Sequence, residues 1–404
     1  MNILYIAYSC NPFAGSEDKI GWCVPCESSK TNKVYVITKE EQREPVERYL
    51  QSHPLENIEF YYVDIPAFYK KIFKGFMYSG RLNVWNRRVL RLAKKSCGNQ
   101  KIDIIHQITP IEFRAIGDYG KIANIKFVCG PLGGGESLPN GLKNYAKGHE
   151  IIEVVRSGIN RWYRFKLRIT GKLNHCDYIM FANKETRDFL GLDENFPLVT
   201  EIAADEISIE KRTISNDIND ERVFLFAGRM VYRKGLELLF DAIMEIPDEW
   251  KYIVKIVGDG PDFLHLKHRC ESNSLLSAHV QFMGAVQYSE MQREYELSDV
   301  LIMPSIRETT GTVLIEAMSQ GMPVITINKF GGAILVDENT GWLYNGENRK
   351  SYIDGLKNAM VACIENPKEV ERRGQNAREK VKGYTWKRKC NQYEEIYKSL
   401  NCVD

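Results

Sequence analysis

The chain has 404 residues, a formal net charge of +2 and 44% apolar residues, which is room for two domains rather than one core. No apolar run approaches the roughly 20 residues of a membrane span, and no low-complexity tract stands out. Ten cysteines at irregular spacing suit a reducing cytoplasm better than a disulfide scaffold.

The opening "MNILYIAYSC" lacks the basic start and small-residue cleavage site of a signal peptide and reads as a buried first strand. Asn32–Thr38, "IEFYYVD", Ile102–Ile108 and "IKFVCG" are further strands, with helical stretches between. After the polar "EKRTISNDINDER" the plan restarts with "RVFLFAG", "YIVKIVG", "VQFMG", "DVLIMPS" and "PVITI". Strand–helix alternation of this kind predicts parallel sheets buried on both faces. Two such units predict residues 1–200 and 201–383 as Rossmann-like domains facing a deep cleft. In such sheets ligands bind off the carboxyl ends of the strands, so the turns after strands are where chemistry is sought.

Charge is unevenly placed. Residues 1–200 carry 29 Lys+Arg against 21 Asp+Glu, a net +8, and the remainder carries −6. Residues 67–101 hold ten basic residues and no acid, and a second basic run starts at Arg156. Both interleave aromatics with cations, which fits helices on an anionic membrane surface. A nucleic-acid surface looks similar, and a solvated face beside a polyanionic ligand is the plain alternative. Nucleic acid is not expected as a partner. Cys23 and Cys26 have redox-motif spacing, but without a second ligand pair they read as small residues on a helix.

Five turns carry candidate chemistry. Gly15-Ser16-Glu17 opens a helix after the first strand, where free N–H groups favour anions; a plain tight turn reads equally well. "GPLGGGESLPNG" is a pliable loop whose Gly134 and Glu136 suit close approach to a polyhydroxyl ligand. In "AGRMVYRKGLELL", Arg229 and Lys234 flank a turn beside Gly228 and Gly235 and can clamp a diphosphate. In "GDGPDFLHL", Asp259 is a turn residue, and His265 and His268 lack a partner acid for a metal. In "PSIRETTGTVLIEAMSQGMPVI", the N–H groups of Gly311 and Thr312 start a helix and favour a phosphate. Glu308 and Glu316 stand on either side, and a carboxylate accepts two hydrogen bonds from a vicinal diol. Glu316 lies within the apolar "VLIEAM", so the expectation is a buried acid with a purpose.

Together, "AGRMVYRKGLELLFDAI", "VGDGP", "PSIRETTGTVLIEAMSQGMPVI" and "YTWKRKCNQYEEIYKSL" resemble glycosyltransferase family 4, retaining enzymes of the α/β GT-B fold. The motifs cover roughly residues 223–400; the first half matches in plan. The resemblance implies a hexosyltransferase using a UDP- or GDP-linked sugar. Its acceptor would be a saccharide or lipid-linked saccharide in capsule, exopolysaccharide or lipopolysaccharide synthesis, at the inner face of the cell membrane. It implies that Glu308 holds the transferred sugar, Glu316 the ribose, and Arg229 and Lys234 the leaving diphosphate. Gly311, Thr312 and, from the other domain, Gly15 would sit under the phosphates, with the base near Phe282–Gly284. Residues 384–404 would form a helix returning to the first domain. No cofactor or metal is expected, and no Asp-x-Asp pair is present to anchor one.

Three departures are visible. Thr309 and Thr310 stand where the family often has a glycine and an aromatic. Gly130-Pro131 stands where it often has a histidine, for which the backbone, Glu136 or His106 could substitute in holding the acceptor. The glycine usual at the first-domain exit is absent from "EIAADEI". Another GT-B enzyme, such as a UDP-sugar 2-epimerase, and a non-catalytic sugar-nucleotide-binding protein are the alternatives. The epimerase would not need the basic face, and the presence of Glu308, Glu316, Arg229 and Lys234 together argues against the non-catalytic protein.

Overall fold

The computed structural model describes residues 1–99, 101–205 and 220–402. Most of the polar stretch before the second half, and the last two residues of "EIAADEI", lie outside the described residues. The chain divides into two compact units. Unit 1 comprises Met1–Gly135, Ile151–Ala203 and Trp386–Asp404; unit 2 comprises Glu136–Glu150 and Ala204–Thr385.

Unit 1 is built on strands β1 (Asn2–Ala7), β2 (Lys33–Lys39), β3 (Ile58–Val63), β4 (Ile104–Thr109), β5 (Lys126–Leu132) and β6 (Tyr178–Phe181), in spatial order β3-β2-β1-β4-β5-β6. Unit 2 repeats the plan with β7 (Arg222–Ala227), β8 (Tyr252–Val257), β9 (Val280–Gly284), β10 (Val300–Met303), β11 (Val324–Ile327) and β12 (Gly341–Tyr344), in order β12-β11-β10-β7-β8-β9. Every ladder is parallel. The central strands are continuous apolar runs, as burial on both faces requires; Ile3 through Ala7 are fully buried. In each sheet the chain runs outward from a central strand and then resumes on that strand's other side. This leaves a switch point between β1 and β4 and another between β7 and β10. At such a point the following turns diverge and open a crevice at the carboxyl edge.

The last helix, Trp386–Asn401, packs in unit 1, beside the helix Ser16–Ser28. Lys389 donates to the Thr200 carbonyl, and Asn32 Nδ2 donates to Glu394 at 2.7 Å. The Tyr397 hydroxyl lies 2.6 Å from Nδ1 of His106, whose Nε2 lies 2.8 Å from the Gly130 carbonyl. A carbonyl only accepts, so Nε2 carries the proton and Nδ1 accepts from Tyr397. Both ring nitrogens are thus used inside a fully buried site. His106 braces the returning helix from the core and presents no atom to a ligand.

Burial disfavours the imidazolium, and Lys389 adds to this, while the Gly130 carbonyl opposes it; the pKa of His106 falls from 6.5 to about 3. The folded value is below the unfolded one, so the stabilisation is present above pH 6.5 and lost as pH falls toward 3. The slope is about 1.4 kcal/mol per pH unit. The melting-temperature gap between wild type and His106→Gln should therefore narrow between pH 7 and pH 4; a gap independent of pH would refute the buried neutral histidine.

Candidate active site at the β7–β10 switch point

The turns after β7 and β10 meet. Arg233 and Lys234 lie in a short helical turn, Tyr232–Lys234, that Gly235 ends at φ +74°. A Cβ on Gly235 would stand 2.0 Å from the Pro304 carbonyl oxygen, so only glycine lets the β7 turn press on the β10 turn. Ile306 N–H donates to the Arg233 carbonyl at 2.9 Å and fixes the contact. Gly228 N–H donates to Val257 O, and Gly258 N–H to Gly284 O, which lines up the exits of β7, β8 and β9.

This contact places the side chains. Lys234 pairs with Glu308 Oε2, and Arg233 Nη1 lies 3.7 Å from Oε1. Thr309 N–H donates to the same carboxylate at 3.3 Å. The Glu308 side chain is only 12% exposed. Burial alone would raise its pKa; Lys234, Arg233 and the Thr309 N–H outweigh burial and hold it below the usual carboxylate range. Three residues on, Gly311 at φ +92° caps the helix Thr312–Ser319. No side chain caps that end, so its backbone N–H groups form a positive terminus a few residues from Glu308.

The sequence reading named Lys234 as half of a clamp and Arg229 as the other half. The structure brings Arg233 to Glu308, while Arg229 is exposed at the exit of β7. Arg233 was legible only as one letter of "YRKG"; nothing in spacing distinguishes it from Arg229. Glu316 is half-buried rather than enclosed. It accepts from the hydroxyl of Tyr295 at 2.8 Å, a residue the sequence reading did not single out. Thr312 and Gly284 are half-buried, and a Cβ on Gly284 would meet nothing within 4 Å.

Glu136 is buried in unit 2, in the segment Glu136–Glu150. There Leu142 enters the core, and the Tyr145 hydroxyl donates to Asp241 at 2.5 Å, itself paired with Arg269 and Arg349. His149 stacks on Tyr232 at 4.2 Å, so this segment props the turn that carries Arg233 and Lys234.

Gly15 and Gly134 lie in unit 1. Gly15 precedes the helix Ser16–Ser28, whose first turn holds Glu17 and Asp18. Glu17 accepts from Ile111 N–H at 2.8 Å, across the β1–β4 switch point. Burial pushes its carboxyl up to about 7, against that hydrogen bond and with help from Glu112 and Asp18. The Gly134 carbonyl accepts from Arg156 and Asn160, both at 3.0 Å.

Residues 208–380 match the family model of glycosyl transferases group 1. An uncharacterized glycosyltransferase of Methanocaldococcus jannaschii is 26% identical over 61% of this chain and 66% of its own length. The sulfoquinovosyl transferase of Arabidopsis thaliana is 28% identical over 43% and 32%. The chain thus spans less than two thirds of the length of these relatives. Among solved structures, the sucrose-phosphate synthase of Thermosynechococcus elongatus is 18% identical with a TM-score of 0.68, covering 100% of both chains. Anabaena HepE, solved with UDP and glucose, is 16% identical with a TM-score of 0.61, covering 99% of this chain and 100% of its own. The fold is GT-B. The matched family model and relatives are glycosyltransferases.

Lys234→Met leaves a buried carboxylate without its nearer cation, which should cost about 3 kcal/mol. Lys234→Met combined with Glu308→Gln should recover most of that loss. Urea denaturation of the three forms measures it; a double variant no more stable than the single would show that Lys234 and Glu308 are not coupled.

Proposed function

We propose that the chain transfers a hexose-type sugar, with retention of configuration, from a nucleotide diphosphate sugar to a saccharide acceptor. One observation carries this reading. At the unit 2 switch point, Lys234 and Arg233, the open end of the helix Thr312–Ser319 and the buried Glu308 carboxylate converge. Cations and backbone N–H groups suit a diphosphate, and a carboxylate within reach of them suits sugar hydroxyls rather than phosphate oxygens. In the free protein, Lys234 is held by Glu308. A diphosphate arriving at the helix end competes for Lys234 and leaves Glu308 to accept from the sugar.

In the reaction, the bond between the anomeric carbon and the leaving diphosphate breaks. The acceptor oxygen bonds to that carbon from the same face, and its proton passes to the departing phosphate. Lys234, Arg229 at the exit of β7, Arg233 and the helix end stabilise the charge that develops on the diphosphate. They supply positive charge where a metal otherwise would, so turnover should survive EDTA. Glu316, held by Tyr295, takes the ribose, and the base lies toward Phe282–Gly284. The UDP seen in HepE makes a uridine donor the first to try for this chain. Gly134 serves the acceptor, and the work is assembly of a surface polysaccharide at the inner face of the cell membrane. The basic residues 67–101 contact anionic lipid there. Among the described residues no helix is long and apolar enough to cross a membrane.

A thermal-shift panel of UDP-, GDP- and dTDP-sugars tests the donor site. A ligand at 100 times its dissociation constant adds about 2.7 kcal/mol to stability. One nucleotide series should raise the melting temperature of wild type; Glu316→Ala should lose most of that shift, and Glu308→Ala should keep it while losing turnover. No response from any donor, with EDTA or with magnesium, would overturn the reading. Conversion of the donor sugar without any acceptor would replace it with an epimerase.

A further inference from the structure

The helix Glu150–Thr170 of "EIIEVVRSGINRWYRFKLRIT" carries two apolar faces. One, with Tyr163 and Leu167, is buried in the core of unit 1, and Asn160 lies on the same side. The other faces water: Ile151 is 80% exposed, Val154 71%, Trp162 55%, Phe165 61% and Ile169 69%. At about 100° per residue these five, with the exposed Val155, fall on one stripe about 100° wide. The stripe runs roughly 27 Å at 1.5 Å per residue. An ordinary surface scatters its exposed apolar residues singly, whereas a continuous stripe marks a binding face.

Charge identifies what it binds. Glu150 and Glu153 lie in the first turn, and from Val154 to Cys176 there are six basic residues and no acid. Arg161 and Arg168 flank the stripe and are exposed. Lys166 lies over the Trp162 ring at 5.1 Å. An apolar face with a tryptophan, edged by cations, matches the boundary between acyl chains and anionic headgroups. A protein partner with so apolar a face would need an acidic rim to answer the cations; an anionic bilayer supplies both at once.

The inner side of the same helix has a second task. Arg156 and Asn160 donate to the Gly134 carbonyl and so hold the Gly133–Gly135 loop, the loop the sequence reads as suited to a polyhydroxyl ligand. We propose that the helix Glu150–Thr170 lies on an anionic bilayer with Ile151, Val154, Trp162, Phe165 and Ile169 in the headgroup boundary. It thereby holds the Gly133–Gly135 loop about one helix diameter, roughly 10 Å, from the lipid. The acceptor class that follows is a sugar on a membrane anchor, its hydroxyl presented just above the headgroups. This deepens the transferase reading and rests on it for the acceptor; the docking surface itself does not. It also shifts the principal contact from residues 67–101, which supply charge and scattered aromatics, to the helix with the exposed apolar stripe.

Flotation with vesicles of phosphatidylcholine alone and of phosphatidylcholine with phosphatidylglycerol tests the surface. Wild type should float with the anionic vesicles, and Trp162 should be quenched by brominated lipid, a signal that Trp162→Phe removes. Trp162→Ser/Phe165→Ser/Ile169→Ser should weaken flotation at least about tenfold while keeping the wild-type melting temperature. Reversing Lys70, Lys71, Arg87 and Arg88 should weaken it less. Failure of wild type to float, or a triple variant that floats as wild type does, would overturn the proposal. So would a wild-type dimer in sedimentation that the triple variant converts to monomer without loss of lipid binding, since the stripe would then pair two copies. Nucleotide-sugar binding, measured without vesicles, separates the two readings: flotation without donor binding removes the transferase and leaves the docking surface.

Discussion

The ion pair of Lys234 and Arg233 with the buried Glu308 is the interaction around which unit 2 is organised. It exists because β7 and β10 are neighbours in the sheet while their turns lead away in opposite senses. Gly235 lets the two turns touch where any side chain would collide with the Pro304 carbonyl. The pair keeps Glu308 ionised despite its burial, and it places two cations near an uncapped helix end. A carboxylate kept charged beside cations is costly unless paired, and it is arranged to exchange one partner for another.

The rest of unit 2 supports that turn from behind. The segment Glu136–Glu150 packs there through Leu142 and the Tyr145–Asp241–Arg349 cluster, and its His149 stacks on Tyr232, the residue before Arg233. Unit 1 has its own version of the constraint. Glu17 crosses the β1–β4 switch point to Ile111, and His106 ties the core of the sheet to the final helix. In both units, polar groups bonded across elements fix one arrangement where apolar packing alone would tolerate several.

Much of this was legible in the residues. Continuous apolar runs gave the central strands, because burial on both faces leaves no alternation to misread. β6 and β12 were missed: each is a four-residue strand at the edge of its sheet. Lys234, Glu308, Gly311 and Thr312 were named because each follows a strand. The approach of Arg233 to Glu308 and of Tyr295 to Glu316 was not read, since both depend on tertiary contacts. His106 was a candidate on the strength of its residue type; burial with both nitrogens bonded makes it a core residue. The helix Glu150–Thr170 showed in sequence as a basic run with aromatics suited to an anionic surface, but not as two-faced, because an apolar stripe facing water reads the same as one facing the core.

A crystal structure with UDP bound tests the central claim most directly. If the β7–β10 switch point is the donor site, density for the diphosphate lies against the N–H groups of Gly311 and Thr312, Lys234 moves from Glu308 to a phosphate oxygen, and the ribose sits at Glu316. UDP bound elsewhere on unit 2, with the Lys234–Glu308 pair intact, would contradict it.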